Sequence, residues 1–213
     1  MTLTAEHVCK TIRNAPILQD VNLTLEGGTV YGFVGRNGSG KTMLFRALSG
    51  LMKLTQGTVS LDGQVLHRDF SVLPSLGIVL EHVGMYPNLT GVENLRYLAG
   101  LTRRAGEADI RTAIERVGLD PDDKRTYRKY SLGMKQRLAI AQAIMEKPDV
   151  LMLDEPTNAL DSEAVAQVRD IIAREKERGA LVLLASHNYE DICLLSDEVY
   201  RLASGRLREE GVG

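Results

Sequence analysis

The chain has 213 residues, enough for one large or two small domains with a real core. Hydrophobic residues make up 44% and charged ones 25%, an ordinary globular mixture, and the formal net charge of -2 offers no global basic field, so no nucleic-acid partner is expected. The longest uninterrupted apolar run, 180–185, falls far short of the roughly 18 residues of a membrane helix, and no basic stretch followed by an apolar run opens the chain as in a signal peptide; the chain is therefore expected not to span a bilayer by itself.

Cys9 and Cys193 lack the spacing of a zinc site or a disulfide framework and read as buried free thiols in a reducing compartment. The basic cluster of Lys124, Arg125, Arg128 and Lys129 reads as a solvated face.

In chain order, short β-type runs come first, at 3–12, 17–25 and 30–34, with Gly27-Gly28 as a turn. A glycine-rich loop then enters a helix over 41–49, with Gly50 placed to end it. Runs 57–61 and 64–66 flank Asp62-Gly63, the signal for a hairpin with a mirror-image turn, and 76–80 reads as a buried strand. A helical block follows. Thr90-Gly91-Val92-Glu93 is a capping box ahead of Leu95, Leu98 and Leu101; further helices are expected over 108–117 and 132–145. Strands at 150–153 and 181–185 then alternate with helices at 162–177 and 189–195, and a hairpin over 199–207 closes the chain. Fully apolar strands alternating with helices imply an α/β core with a parallel sheet. One domain over 1–213 is expected, with a core of 1–85 and 146–213 and a helical insertion of about 86–145.

Gly35-Arg36-Asn37-Gly38-Ser39-Gly40-Lys41-Thr42 matches the phosphate-loop pattern between an expected strand and an expected helix, the context that motif requires. Glycines let backbone N–H groups converge on phosphate oxygens, and the helix N-terminus adds partial positive charge. Lys41 would bridge the terminal phosphates and the Thr42 hydroxyl would ligate Mg²⁺. The run from Asp149 to Glu155 is an apolar strand delivering two carboxylates at its C-terminal end: Asp154 suits a magnesium ion held through water, and Glu155 a proton taken from an attacking water. Alone, such an acidic pair often only caps the next helix; beside a phosphate loop it reads as catalytic.

Tyr130-Ser131-Leu132-Gly133-Met134-Lys135-Gln136-Arg137 resembles the LSGGQ signature of ABC ATPases, and the other landmarks of that family appear in order along essentially the whole chain. Asn158-Ala159-Leu160-Asp161 is similar to the D-loop, Ser186-His187 matches the switch histidine, and Glu81 stands where the family usually has the Q-loop glutamine. The resemblance implies the ABC-type phosphate-loop fold, with an N-terminal antiparallel β layer and an inserted helical subdomain, and hydrolysis of ATP with Mg²⁺. Catalysis would fall to Glu155, His187 and Lys41. The metal would be held by Thr42, Glu81 and Asp154, and the nucleotide by Gly35 through Thr42. It also implies a head-to-tail dimer, homomeric or heteromeric, in which Ser131 and Gly133 of one copy close over the γ-phosphate of the other and Asp161 couples the two sites.

Several positions depart from the family pattern. Leu132 replaces the first signature glycine, Met134 the glutamine, and Ile12 occupies the adenine-stacking aromatic position, where the neighbouring Arg13 could stack instead. A transmembrane transporter subunit is the implied partner, which would hold this chain at the cytoplasmic face of the membrane. Gly84-Met85-Tyr86-Pro87-Asn88-Leu89 is either its docking face or a buried hinge of the helical insertion. Within the family the pattern looks like that of bacterial small exporters, including peptide-antibiotic resistance systems. The alternative, a soluble ABC-type ATPase acting on ribosomes or DNA, usually carries two cassettes or long insertions that this chain lacks. A phosphate-loop kinase has no use for the signature.

Overall fold

The computed structural model describes residues 1–80 and 84–210, and for 190 and 191 the backbone alone. Strands β1 (Thr2–Ile12) and β2 (Ala15–Glu26) pair antiparallel around Arg13 and Asn14, whose φ values of 47° and 66° make the mirror-image turn that twisted strands favour. Strand β3 (Val30–Val34) is buried along its whole length, as expected for a central parallel strand. It leads through the glycine-rich loop into α1 (Lys41–Ser49), which Gly50 ends with φ 90°. Strands β4 (Gln56–Leu61) and β5 (Gln64–Val65) turn at Asp62 and Gly63, φ 48° and 80°, the hairpin foreseen for Asp-Gly. Strand β6 (Leu76–Val79) completes the first half.

Helix α2 (Gly91–Thr102) opens on the expected capping box, with Thr90 Oγ1 accepting from Glu93 N and Glu93 Oε2 accepting from Thr90 N at 2.7 Å. Helix α3 (Glu107–Arg116) follows, then a short 3-10 turn at Tyr127–Lys129, then α4 (Leu132–Ile144). Regular alternation resumes with β7 (Val150–Asp154), α5 (Ser162–Glu177), β8 (Leu181–Ser186) and α6 (Tyr189–Leu195), and the chain closes with β9 (Glu198–Ala203) and β10 (Arg206–Glu210).

Two sheets result. One is antiparallel, in the order β2-β1-β4-β5; the other runs β10-β9-β3-β8-β7-β6, parallel throughout except for β10 at its edge. Helix α1 lies in the core between the two sheets, burying Leu44, Phe45 and Leu48, with Phe45 edge-on to Phe33 of β3 at 5.6 Å. A second core joins the other face of the parallel sheet to α2, α3, α4 and α5. Helix α4 seats so closely on β6 that a Cβ at Gly77 would stand 2.1 Å from the Ala143 carbonyl, which only glycine accommodates. That seating fixes the start of α4 relative to the strand ends. Cys9 and Cys193 are free thiols, half-buried rather than fully buried. No helix among the described residues is long and apolar enough to cross a membrane.

Candidate active site

Parallel strands deliver their C-terminal ends to one edge of a sheet, where ligands bind in open α/β folds. Here β3, β7 and β8 end level, with Val34 beside Ser186 and Asp154 beside Ala185. These ends launch the glycine-rich loop, the acidic pair and the Ser186-His187 step. Gly40 caps α1 at φ 110°, a backbone that L side chains rarely adopt, and so leaves the first N–H groups of the helix facing outward. The Lys41 side chain folds back into the loop: Nζ donates to Gly35 O at 2.7 Å and lies 3.7 Å from Glu155 Oε1. The Thr42 hydroxyl donates to Asp154 Oδ2, and Asp154 is itself buried.

Glu155 is the best-held group of the site. Its Oε2 accepts from Ser186 Oγ at 3.0 Å and faces His187 Nδ1 at 3.0 Å, while Oε1 accepts from the His187 backbone N–H at 2.9 Å. Its backbone sits at φ 51°, a left-handed conformation that costs a non-glycine residue about 1–3 kcal/mol and concentrates at functional sites. The surroundings offset that strain. Glu155 N donates to Ala185 O at 2.8 Å, and Gln136 Nε2 on α4 donates to the carbonyls of Glu155 and Pro156 at 3.3 and 3.4 Å.

An open cleft of about 660 Å³ collects most of these groups: Asn37 through Thr42, Asp154, Glu155 and His187 all line it. Sequence reasoning missed Ile17 and Arg46 on its walls, since neither carries a motif signal, and gave Gln136 no role beyond its place in the signature stretch; each arrives by the packing of β2, α1 or α4. The expected nucleotide contact Ile12 lies at the end of β1. It pairs with Ala15 at the tip of the hairpin, is 38% exposed and does not line the cleft, whose aliphatic wall on that side is Ile17. Arg36 turns away from the cleft into a neighbouring cavity. Ser131 caps α4, its Oγ accepting from Met134 N at 3.2 Å, and neither Ser131 nor Gly133 lines the cleft of its own chain. Asp161 caps α5, accepting from Ala164 N at 2.9 Å, and also stays outside the cleft. Glu81 lies outside the described residues.

The segment before α2 is clamped from within. Asn94, buried in α2, accepts from Tyr86 N at 2.7 Å and donates to the carbonyls of Tyr86 and Thr90 at 3.1 and 2.9 Å. Tyr86 nevertheless stays half exposed, edge-on to Tyr97 at 4.8 Å, so the segment is held along its backbone yet leaves apolar surface outside. For a metal, no group of three His, Cys, Asp or Glu among the described residues could hold an ion. The Thr42 hydroxyl and Asp154 carboxylate, in contact beside the loop, are instead the hard oxygen pair that suits Mg²⁺ drawing its other ligands from phosphates and water.

A phosphate loop opening a helix, a carboxylate at the end of the next strand but one in the sheet and a histidine paired with it define a phosphate-loop nucleotide hydrolase. The family model described as ABC transporter matches residues 18–158. An uncharacterized ABC transporter ATP-binding protein of Bacillus subtilis (strain 168) is 46% identical over 94% of this chain and 92% of its own length. The bacitracin transport ATP-binding protein BcrA of Enterococcus faecalis is 37% identical over 96% of this chain and 67% of its own. This chain belongs to the ABC transporter family, as an ATP-binding and ATP-hydrolysing subunit. The fold is shared with a dimeric ATP-binding cassette solved in a post-hydrolysis state with ADP and phosphate, at a TM-score of 0.88 and 23% identity over 99% of both chains.

Proposed function

We propose that the chain drives a membrane-embedded exporter by closing head-to-tail on a second ATP-binding subunit around two ATP molecules, with Glu155 as general base. The observation that carries the chemistry is the Glu155 carboxylate, held on both oxygens by Ser186 and His187 and 3.7 Å from the Lys41 ammonium. In the reaction, Lys41 leaves the Gly35 carbonyl for phosphate oxygens, and the loop N–H groups take the bridging charge. Glu155 accepts the proton of the attacking water as its oxygen joins the γ-phosphorus and the bond to ADP breaks. His187 turns its ring toward the developing charge. A magnesium ion bound at Thr42 and Asp154 would neutralise phosphate charge.

Two features support action between copies. Ser131 presents its hydroxyl at an exposed helix N-terminus, outside the cleft of its own chain. Leu132, beside it, is 70% exposed although apolar, as a residue awaiting a partner surface would be. For the membrane partner, the half-exposed Tyr86 and Tyr97 and the 69%-exposed Leu101 give an apolar face along α2 next to the clamped hinge. Export, and a peptide-antibiotic class of substrate, rest on likeness to the bacitracin transport subunit. Co-purification with the partner tests the reading, followed by stimulation of ATP hydrolysis by candidate peptides. A partner that binds without peptides ever changing turnover would discard the substrate class.

A further inference from the structure

A second cavity, of about 480 Å³, lies behind the phosphate loop and is lined by Arg36, Asn37, His187, Tyr189 and Arg201. Its placement follows from the sheet. Val34 is in register with Ser186 of β8 on one side and with Arg201 of β9 on the other, so Arg201 stands beside the start of the loop as His187 does opposite. Asn37 and His187 line this cavity and the nucleotide cleft alike. On its far side it adjoins a third hollow of about 400 Å³, bounded by the loop and by Arg201 through Ser204. His187, paired with Glu155, thus borders both the cleft and an open chamber carrying two guanidinium groups.

We infer that this chamber is a binding site for inorganic phosphate, holding the anion released by hydrolysis after it passes His187 and before it reaches solvent. Guanidinium forks match tetrahedral oxyanions, and the Arg36 side chain has no ion-pair or hydrogen-bond partner among the described residues. Arg201 stacks over the Tyr189 ring at 5.7 Å and gives Nε to Glu210 Oε1 at 2.7 Å, which leaves its terminal nitrogens for an anion. Glu210 opposes the anion and sets a ceiling on affinity, which suits a product that must leave. The inference rests on ATP hydrolysis only for the source of the phosphate, not for its binding.

The test uses the full chain with inorganic phosphate as probe, in three forms: wild type, Arg201→Met and Glu210→Gln. Arg201 is half exposed on β9, so the methionine keeps the stem and the fold. Phosphate is expected to lower the maximal rate of hydrolysis rather than compete with ATP. Arg201→Met should weaken that inhibition roughly tenfold, as the loss of one charge-assisted contact does, with single-turnover cleavage unchanged. Glu210→Gln should leave phosphate binding equal or tighter, the opposite direction. Strict competition with ATP at one constant in all three proteins overturns the inference, as does weakening by both substitutions alike, which marks the pair as structural. Phosphate-31 NMR titration of ATP-free protein separates the two readings: Arg201-dependent binding in a chain that hydrolyses nothing keeps the site and removes the hydrolysis.

Discussion

Glu155 and His187 meet twice: the backbone N–H of His187 donates to Oε1 at 2.9 Å, and its ring Nδ1 faces Oε2 at 3.0 Å. An ionised carboxylate only accepts, so Nδ1 donates in this arrangement and Nε2 is left for another partner. Glu155→Gln reverses the relationship. With the amide oxygen kept on the backbone N–H, its NH₂ meets Nδ1, which must then accept, and the proton moves to Nε2. The variant is expected to bind Mg-ATP normally, to lose about 10²–10⁴ in turnover as when a positioned base is removed, and to accumulate as an ATP-bound dimer. Nitrogen-15 NMR of the His187 ring reads the tautomer. Wild-type turnover would reject Glu155 as the base.

Ser131 does two jobs that a single substitution can separate. As N-cap of α4 it accepts from Met134 N, and aspartate caps as well as serine does. Ser131→Asp should therefore keep stability within about 0.5 kcal/mol of wild type. Its negative charge would instead meet the γ-phosphate of the opposite copy. ATP binding by the monomer should be unchanged and hydrolysis abolished, and mixing with Lys41→Ala should restore at most one working site per heterodimer. Loss of ATP binding by the isolated monomer would place Ser131 in its own cleft and end the head-to-tail model.

The phosphate loop, the acidic pair and His187 were legible in the sequence because each is local: a short motif at the end of an apolar strand, which the parallel sheet carries to a common edge. The element order and the mirror-image turn at Asp62-Gly63 were legible for the same reason, through period, capping residues and Asp-Gly; the turn at Arg13-Asn14 was not, since that residue pair is no strong signal for it. Gln136 bonding to the carbonyls of Glu155 and Pro156 was not, because it depends on how α4 docks across β6 at Gly77. Nor was the four-way clamp of Asn94 on the 86–90 segment, which exists only when that segment folds over α2. Ile12 rests on resemblance to the family pattern alone, and the turn that sets it beside Ala15 lies outside the motifs that made the loop legible.

Nucleotide affinity tests where the adenine sits. Ile17 is the aliphatic wall beside Gly40, and Ile17→Ala should weaken ATP binding roughly five- to thirtyfold, the worth of about 1–2 kcal/mol of lost apolar contact. Ile12→Tyr supplies a ring long enough to lean from the hairpin over the base. A stacked aromatic contributes about 1–3 kcal/mol, part of which isoleucine already offers, so tightening of roughly three- to thirtyfold is expected. Arg13→Ala should change nothing, because the turn holds Arg13 at φ 47° at the tip of the hairpin. Calorimetric titration of ATP into the three variants decides. An effect at Arg13 with none at Ile17 would move the adenine pocket to the hairpin tip.

The last prediction concerns the joint between the helical insertion and the core. Glu175 on α5 is buried, with its side chain 3% exposed, and is held by Arg116 of α3 at 2.9 Å and by Arg178 at 2.9 Å; Arg178 also donates to the carbonyl of Pro148, just before β7. The three charges are not equivalent. The arginines are a quarter to a third exposed and can return to water if they lose their partner, whereas the carboxylate cannot. Removing one arginine leaves Glu175 with the other, so Arg116→Met and Arg178→Met should each cost about 1 kcal/mol, the worth of one typical hydrogen bond. Removing both strands a buried charge, which costs about 3–5 kcal/mol, and the pair should therefore exceed the sum of its parts. Adding Glu175→Leu to the double variant removes the stranded charge and should recover most of the loss. Urea unfolding of the single, double and triple variants measures this directly. Simple additivity, with no recovery in the triple variant, would show that Glu175 reaches water when α3 moves, and that this joint opens far more readily than its burial implies.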